Sequence, residues 1–251
     1  MQTFSFVHRM AVRKGSRARA KRRKGLASRL LIGAMVLLVG FPGAGILLYG
    51  ILPPPVTPLM MLRLFEGERL DRDWRPRNAI APDLFRAVIA AEDARFCDHF
   101  GFDPVELKKA FRDWQRGGRV RGASTITMQT AKNLFLWPGR DFLRKAVEAY
   151  LTPWLEIAWS KTRVLELYVN VAEWGPGIYG VEAAARAYFG KPASALSKNE
   201  AALLAAVLPN PRVWSPVKPS AYIRQRARTI RARMPDAPVS TDEICAEART
   251  S

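Results

Sequence analysis

A short acidic and aromatic stretch, AAEDARFCDHFGFDP over residues 90–104, is the part of the sequence whose residue types most suggest chemistry. Glu92, Asp93 and His99 stand there among three phenylalanines. A carboxylate in a partly dry pocket is a stronger base than one in water, because desolvation raises its pKa. The stretch therefore suggests a general base, a role that needs a group tuned in this way. The alternative is a solvated helix end beside phenylalanines that fill the core.

Two later stretches could supply positive charge. In GASTITMQTAKNLFL, Thr125, Gln129 and Lys132 stand at i, i+4 and i+7, which is one face of a helix. A hydroxyl, an amide and an ammonium on one stripe suit an oxyanion such as phosphate. Arg144 and Glu148 stand at i and i+4 in the next segment, which suggests a second carboxylate directed into a cleft. The alternatives are an ordinary solvated face and a surface ion pair worth about 0.3 kcal/mol.

The elements that must position these residues are predicted to be helices. Apolar residues repeat at helical spacing from Leu84 to Ala91, after a candidate cap at Asp83, so Glu92 is expected where this helix ends. Pro153 should kink or break the helix that carries Glu148. No convincing strand appears, and a mainly α fold is predicted. Further helix starts are expected at Asp103-Pro104, Ser124, Asp141, Ser160 and Ser197-x-x-Glu200.

The positive charge of the chain is concentrated at its beginning. The net charge is +18, and residues 1–29 contain ten basic residues and no acidic one. The uncharged run 30–52 follows, and about 20 apolar residues suffice to cross a bilayer as a helix. The positive-inside rule then puts the N-terminus in the cytoplasm. The basic run is therefore explained by topology and anionic lipid, and nucleic acid is not an expected partner. A cleaved signal peptide is the alternative, but the run is long and Leu52-Pro53 is a poor cleavage site.

These features predict five segments in order. They are a basic cytoplasmic tail (1–29), a transmembrane signal anchor (30–52), a linker (53–78), a catalytic domain (79–236) and a flexible C-terminal tail (237–251). Cys97 and Cys245 are the only cysteines. Their distance in sequence makes only a weak case for a disulfide, and no Cys/His spacing suggests zinc.

Five separated segments together resemble the ordered motifs of the peptidoglycan glycosyltransferases. This family includes the glycosyltransferase domain of class A penicillin-binding proteins and also occurs as a monofunctional enzyme. The resemblance covers about residues 79–216 and implies a lysozyme-like helical domain with a smaller, membrane-facing lobe. The segments are EDARFCDHFGFD, GASTITMQTAKNLFL, RKAVEAYLTPWLE, SKTRVLELYVNVAEWGPGIYGVEAAARAYFGK and EAALLAAVLPNP.

The resemblance also implies a reaction. The growing glycan on its lipid diphosphate is the donor, and the 4-hydroxyl of lipid II attacks its anomeric carbon. The configuration inverts, a β-1,4 bond forms, and undecaprenyl diphosphate leaves. The implied location is the bacterial inner membrane, with a single span and a periplasmic catalytic domain. The implied partners are lipid II, the growing glycan chain, the membrane, and proteins of cell-wall synthesis and division.

Roles at the acceptor side follow from the first motif. By the resemblance, Glu92 is the general base on the acceptor hydroxyl. Asp93, Phe96 and His99 are expected to shape its site.

Roles at the donor side follow from the second and third motifs. Thr125, Gln129 and Lys132 are expected to line that side, with Lys132 meeting the diphosphate. Arg144 would hold phosphate and position Glu148. Glu148 would assist the leaving diphosphate, directly or through a divalent cation, Mg²⁺ or Mn²⁺. No metal site built from protein ligands is predicted. One departure from the family pattern is Met128, which stands where a glutamine is usual and is expected to be structural.

Other classes of protein remain open on the residues. A lysozyme-like or lytic hydrolase would also use Glu92 against glycan, but it has little use for Lys132, Arg144 and an anchor. A non-catalytic membrane scaffold would tolerate loss of both glutamates. A bifunctional penicillin-binding enzyme is excluded by size. Ser215-x-x-Lys218 matches a serine–lysine pattern without its companion motifs, and is interpreted as chance.

Overall fold

The structure is a computed structural model. It describes residues 35–118, 122–139, 141–239 and 244–245, together with Arg29 and Gly33. The chain divides into two compact units, Met1–Leu48 and Tyr49–Ser251. Residues 1–28 of the predicted basic tail and 246–251 of the predicted C-terminal tail lie outside the described residues.

The predicted membrane anchor falls partly outside the described residues. Within it, Val36–Gly40 is π-helical and α1 spans Phe41–Ile51. Among the described residues, no helix combines the length and the apolar character that crossing a bilayer requires. The transmembrane helix over 30–52 therefore stays a prediction.

The second unit is built mainly from helices, as predicted. Three 3₁₀ turns, Arg77–Ala79, Ala193–Ala195 and Met234–Asp236, connect some of them. The α-helices are α2 (Pro58–Phe65), α3 (Pro82–Glu92), α4 (Pro104–Gln115), α5 (Ile126–Phe135), α6 (Phe142–Ala158), α7 (Lys161–Val171), α8 (Val181–Phe189), α9 (Lys198–Val207) and α10 (Ala221–Arg233).

Most helix starts lie where the sequence placed them. Asp103, Asp141, Ser160 and Ser197 each accept a hydrogen bond from a backbone N–H in the first turn of their helix. Ser197 and Glu200 form the predicted capping box. Such caps satisfy N–H groups that have no partner within the helix, which is why they can be identified from sequence.

Two predicted caps are wrong, and the break that Pro153 could have caused does not occur. α3 begins at Pro82, so Asp83 lies in its first turn and is not its cap. Thr125, not Ser124, caps α5 by accepting from the Met128 N–H. α6 continues through Pro153. We attribute this continuity to tertiary packing, because the leucines at 151 and 155 on either side of the proline are fully buried.

A small sheet corrects the expectation that strands are absent. β1 (Asp71–Arg72) pairs in parallel with β3 (Ile178–Tyr179), which pairs antiparallel with β2 (Glu173–Gly175). Strands this short show no alternation that sequence could reveal. Gly177 in the β2–β3 turn has a φ of +74°, and a Cβ there would meet the Arg69 carbonyl oxygen at 2.3 Å. Only glycine fits this position.

Two groups of helices carry the residues of interest. In the first, α9 packs against α3 and α10. In the second, α5 packs against α6 and α7. Glu92 ends α3, whereas Gln129, Lys132 and Glu148 lie on α5 and α6. The site therefore depends on how the two groups meet.

The predicted linker, residues 53–78, contains folded structure. It includes α2 and β1, and the Met60 side chain on α2 is fully buried. The Arg72 guanidinium donates to the carbonyl oxygens of Pro54 and Pro55. α2 is capped by Thr57 and anchored by the buried Met60, so these residues are part of the domain rather than a spacer.

The described residues of the predicted C-terminal tail are attached to the domain. Cys245 forms a disulfide with Cys97, 148 residues earlier in the chain. Val239 pairs with Ile244, and its carbonyl oxygen accepts from Arg86 at 2.7 Å. For these described residues the prediction of a free tail is wrong. The disulfide attaches them to the domain, and the sequence made only a weak case for this bond.

Candidate active site

Glu92 is the last residue of α3 and lines a cavity of about 770 Å³. Its Oε2 accepts a hydrogen bond from the Gln129 amide at 3.0 Å. Its Oε1 is buried and has no hydrogen-bond partner among the described residues, although the Arg226 Nη2 lies 3.6 Å away. Burial raises the pKa of Glu92, against the hydrogen bond from Gln129 and the charges of Arg226 and Lys132. Glu92 is thus a stronger base than an exposed glutamate.

A buried tyrosine fixes the amide that holds Glu92. The Tyr168 hydroxyl on α7 donates to the Gln129 Oε1 at 3.2 Å. With its oxygen engaged in this way, the Gln129 amide presents its NH₂ group to Glu92. Burial and the negative charge of Glu92 raise the pKa of Tyr168 well above its ordinary value, so the phenol remains a donor.

Asp93 joins the segment after α3 to the start of α5. Its Oδ2 accepts from the Ile126 N–H at 2.9 Å, and its Oδ1 lies 2.9 Å from the His99 Nε2. The Asp93 and His99 side chains are both nearly inaccessible to solvent. Asp93, the residue after Glu92, therefore ties the loop that contains His99 to the start of α5.

Thr125 lines the cavity of Glu92, and Phe96 follows Glu92 by four residues in the chain, but both side chains make other contacts. Phe96 is fully buried, with the Lys161 ammonium 4.5 Å from its ring centroid. Thr125 lines the cavity, yet its hydroxyl donates to the Gly101 carbonyl oxygen at 2.6 Å while capping α5. Thr125 therefore lines the same cavity as Gln129, but its hydroxyl is already hydrogen-bonded.

Glu148 is held between two cations of its own helix. Its Oε2 accepts from the Arg144 Nη1 at 2.6 Å, and its Oε1 accepts from the Lys145 Nζ at 2.5 Å. The side chains of Arg144 and Glu148 are buried, so the pair is not the surface ion pair of the alternative interpretation. Lys145 also donates to the Ser124 Oγ at 2.8 Å, and Ser124 lines the cavity of Glu92. This contact connects the two carboxylate environments.

Lys132 lies within the electrostatic reach of both glutamates. Burial lowers the pKa of its ammonium, and the charges of Glu148 and Glu92 oppose that change while Arg144 and Lys145 add to it. Within the part of the chain that the structure describes, Lys132 forms no hydrogen bond or ion pair. It is a cation available to an anionic ligand.

Three residues at the site were missed by the sequence analysis. Lys145 stands three residues before Glu148, and this spacing could have identified it. Tyr168 lies in an apolar helix and looked like an ordinary core residue. Arg226 lies on a helix that was noted only as basic, and no local signal indicated that it faces Glu92. Met128, which is buried, is structural as expected.

The arrangement can perform two chemical tasks. Glu92 can accept a proton from a hydroxyl group that enters the cavity. Lys132, Arg144 and Lys145 can offset negative charge that develops on a leaving oxyanion. A second cavity of about 780 Å³, near Asp83, is lined by neither glutamate.

Comparisons with known proteins show which family this chain resembles. A family model described as "Transglycosylase" matches residues 60–235. Biosynthetic peptidoglycan transglycosylases of Rhodospirillum centenum and Caulobacter vibrioides are 54% and 49% identical to the chain. Each alignment covers 82% of this chain, with 87% and 90% of those two proteins. The protein of that name from Stutzerimonas stutzeri is 50% identical over 81% of this chain and 84% of its own length.

Proposed function

The chain belongs to the transglycosylase family, and on this premise we propose that it polymerises lipid II into β-1,4-linked glycan strands. It is a peptidoglycan glycosyltransferase of cell-wall synthesis, which acts at the cell envelope. The finer statement, inversion at the anomeric carbon with release of undecaprenyl diphosphate, is part of the proposal.

Glu92 acts on the acceptor in this proposal. It removes the proton of the lipid II 4-hydroxyl while the oxygen bonds to the anomeric carbon of the donor. The bond from that carbon to the diphosphate breaks, and its electron pair leaves with undecaprenyl diphosphate. The raised pKa of Glu92 supports this role, because a stronger base takes the proton more readily.

The cations act on the leaving group. Lys132 has no partner among the described residues and can meet the diphosphate directly. Arg144 and Lys145 are held by Glu148, which keeps two further positive charges in place. Pre-positioned cations of this kind stabilise charge that develops in the transition state without reorganising.

The proposal uses no metal ion. Both oxygens of Glu148 accept from cationic side chains, so they do not fit the divalent cation that the resemblance left open. Among the described residues, no three His, Cys, Asp or Glu side chains are grouped as metal ligands would be.

A lipid-linked substrate is supported by the surface beside the cavity. Val105 on α4 lines the cavity, and Phe111 and Trp114 on the same helix are more than half exposed. Such an apolar surface suits a lipid phase. The Cys97–Cys245 disulfide supports placement of the domain outside the cytoplasm, where disulfides persist. We therefore propose a periplasmic domain on an inner-membrane anchor with a cytoplasmic N-terminus.

One observation carries the proposal: Glu92, a buried and incompletely paired carboxylate, lies within electrostatic reach of Lys132, which has no partner among the described residues. The test supplies the purified protein with labelled lipid II and, separately, with finished peptidoglycan. Glycan polymer from lipid II and no fragments from peptidoglycan are expected. Fragments from the second substrate without polymer from the first would indicate a hydrolase and overturn the proposal.

A further inference from the structure

The helix α10 lies outside the segments that resemble the family motifs. Ile223, Ala227 and Ile230 bury one side of it, and the helix packs against α9 and α3. This packing brings Arg226 to the end of α3, where it lines the same cavity as Glu92.

The contact between the two side chains is close but incomplete. The Arg226 Nη2 lies 3.6 Å from the Glu92 Oε1, too far for a good hydrogen bond. Among the described residues, neither Glu92 Oε1 nor Arg226 Nε has a hydrogen-bond partner, and both atoms are buried. A buried carboxylate oxygen without a donor is costly unless a charge compensates it. For Oε1, Arg226 is the side chain placed to do so.

The other charged groups around Glu92 have different tasks. Asp93, the next residue, carries the same charge and raises the pKa of Glu92 further. Lys132 on α5 lowers it but is the cation assigned to the diphosphate. Tyr168 on α7 faces Gln129 and stays neutral. Besides the neutral Gln129 amide, which donates to Oε2, Arg226 on α10 is the remaining charge that opposes the effect of burial on the pKa of Glu92.

We propose that Arg226 is a positioning residue that keeps Glu92 ionised and in place until the acceptor hydroxyl arrives. The inference rests on the proposed function, because it assigns Arg226 a part in the base step. Arg226 touches no reacting atom in this role. It compensates the buried Oε1, and the proton of the acceptor hydroxyl passes to the Glu92 carboxylate as the glycosidic bond forms.

The test compares three variants of the full-length protein across pH. Arg226→Gln removes the charge, Arg226→Lys keeps it, and Arg228→Gln alters an exposed arginine of the same helix. The measurement is kcat and KM for lipid II polymerisation from about pH 6 to about pH 9, a range over which a shifted carboxyl titration becomes visible.

The expected result is a shift of the acidic limb of kcat/KM to higher pH in Arg226→Gln. Without the cation, Glu92 is protonated at a higher pH, so activity falls about tenfold at about pH 6 and about twofold or less at about pH 9. Arg226→Lys should restore most of the acidic limb. Arg228→Gln should match the unchanged protein.

Three outcomes would overturn the inference. A uniform loss across pH, with Arg226→Lys no better than Arg226→Gln, indicates a structural role. A rise in KM alone, with the acidic limb unchanged, makes Arg226 a substrate-binding residue. If the unchanged protein forms no polymer, the proposed function itself fails. Thermal unfolding of each variant shows whether it still folds. If Arg226→Gln does not fold, the acidic limb of Arg226→Lys is compared with that of the unchanged protein, and a limb shifted to higher pH overturns the inference.

Discussion

Glu92 and Glu148 lie in one region of the molecule, but their surroundings differ. Both oxygens of Glu148 accept from cationic side chains of its own helix, α6. Glu92 has one amide hydrogen bond from α5, a cation from α10 at 3.6 Å, and a buried oxygen without a hydrogen-bond partner among the described residues. Glu148 therefore finds its partners on its own helix, whereas the partners of Glu92 come from other helices.

This difference assigns different tasks to the two carboxylates. Both oxygens of Glu148 are occupied by the side chains of Arg144 and Lys145. Glu148 therefore suits the task of holding Arg144 and Lys145 in place. Glu92, which burial makes more basic, suits proton transfer. The following predictions test this division.

The largest expected effect is on catalysis by Glu92→Gln. Glutamine has nearly the same shape but cannot accept the proton, so kcat should fall by about 10²–10⁴-fold. Glu106→Gln is the control, since Glu106 lines the same cavity but is partly exposed and paired with Lys109 at 3.6 Å. Rates of lipid II polymerisation measure both. If Glu92→Gln keeps more than about a tenth of the activity, the base assignment is wrong.

The second effect is on stability, by Glu148→Gln. Removing one partner of a buried ion pair leaves the Arg144 guanidinium uncompensated, which should lower the free energy of unfolding by about 3–5 kcal/mol. The same change at partly exposed Glu106 should cost about 1 kcal/mol or less. Denaturant unfolding measures both. Equal effects at the two positions would contradict the distinction between a buried and a surface pair.

The third effect should be confined to the Glu92 side. Cys97 lies in the loop that follows Glu92, so replacing both cysteines by serine removes the covalent link between that loop and the segment around residue 245. The free energy of unfolding should fall by about 2–4 kcal/mol, because the disulfide closes a long loop of chain. Hydrogen exchange should rise in residues 93–99 but not around Arg144 and Glu148. A rise of equal size on α6 would show that the two sides are not independent.

The smallest effect concerns pH. Burial raises the pKa of Glu92, so ionised Glu92 lowers the free energy of unfolding. This loss of stability is absent at a pH below the ordinary pKa of 4.5 and complete at a pH above the raised pKa. Glu92→Gln should therefore stabilise the protein by about 1 kcal/mol at neutral pH. The gain should shrink as the pH falls towards 4.5. Thermal unfolding at several pH values tests this, and a gain that grows on acidification would have the wrong sign.

The sequence predicted those parts of the site whose partners lie close along the chain. Arg144 and Glu148 are four residues apart on one helix, and their contact follows from helical geometry. The caps at Asp103, Asp141, Ser160 and Ser197 follow from the unpaired N–H groups of a helix start. The apolar spacing of α3 likewise placed Glu92 at its end.

The sequence failed where neighbours come from distant segments. It did not indicate the short strands, and it treated α2 as part of a linker, because burial of Met60 depends on the rest of the domain. The sequence made only a weak case for the Cys97–Cys245 disulfide, because the two cysteines are 148 residues apart. A proline inside a helix can break it, but α6 continues through Pro153.

The sequence by itself determined the mainly helical class, the family motifs and the identities of the two glutamates. Only the tertiary structure decided how they differ, because the pKa of a carboxylate depends on burial and on charges within a few ångströms. For Glu92 those charges arrive on α5 and α10, from residues 40 and 134 positions along the chain. Sequence spacing carries no information about such contacts, and the packing of the helices supplies it.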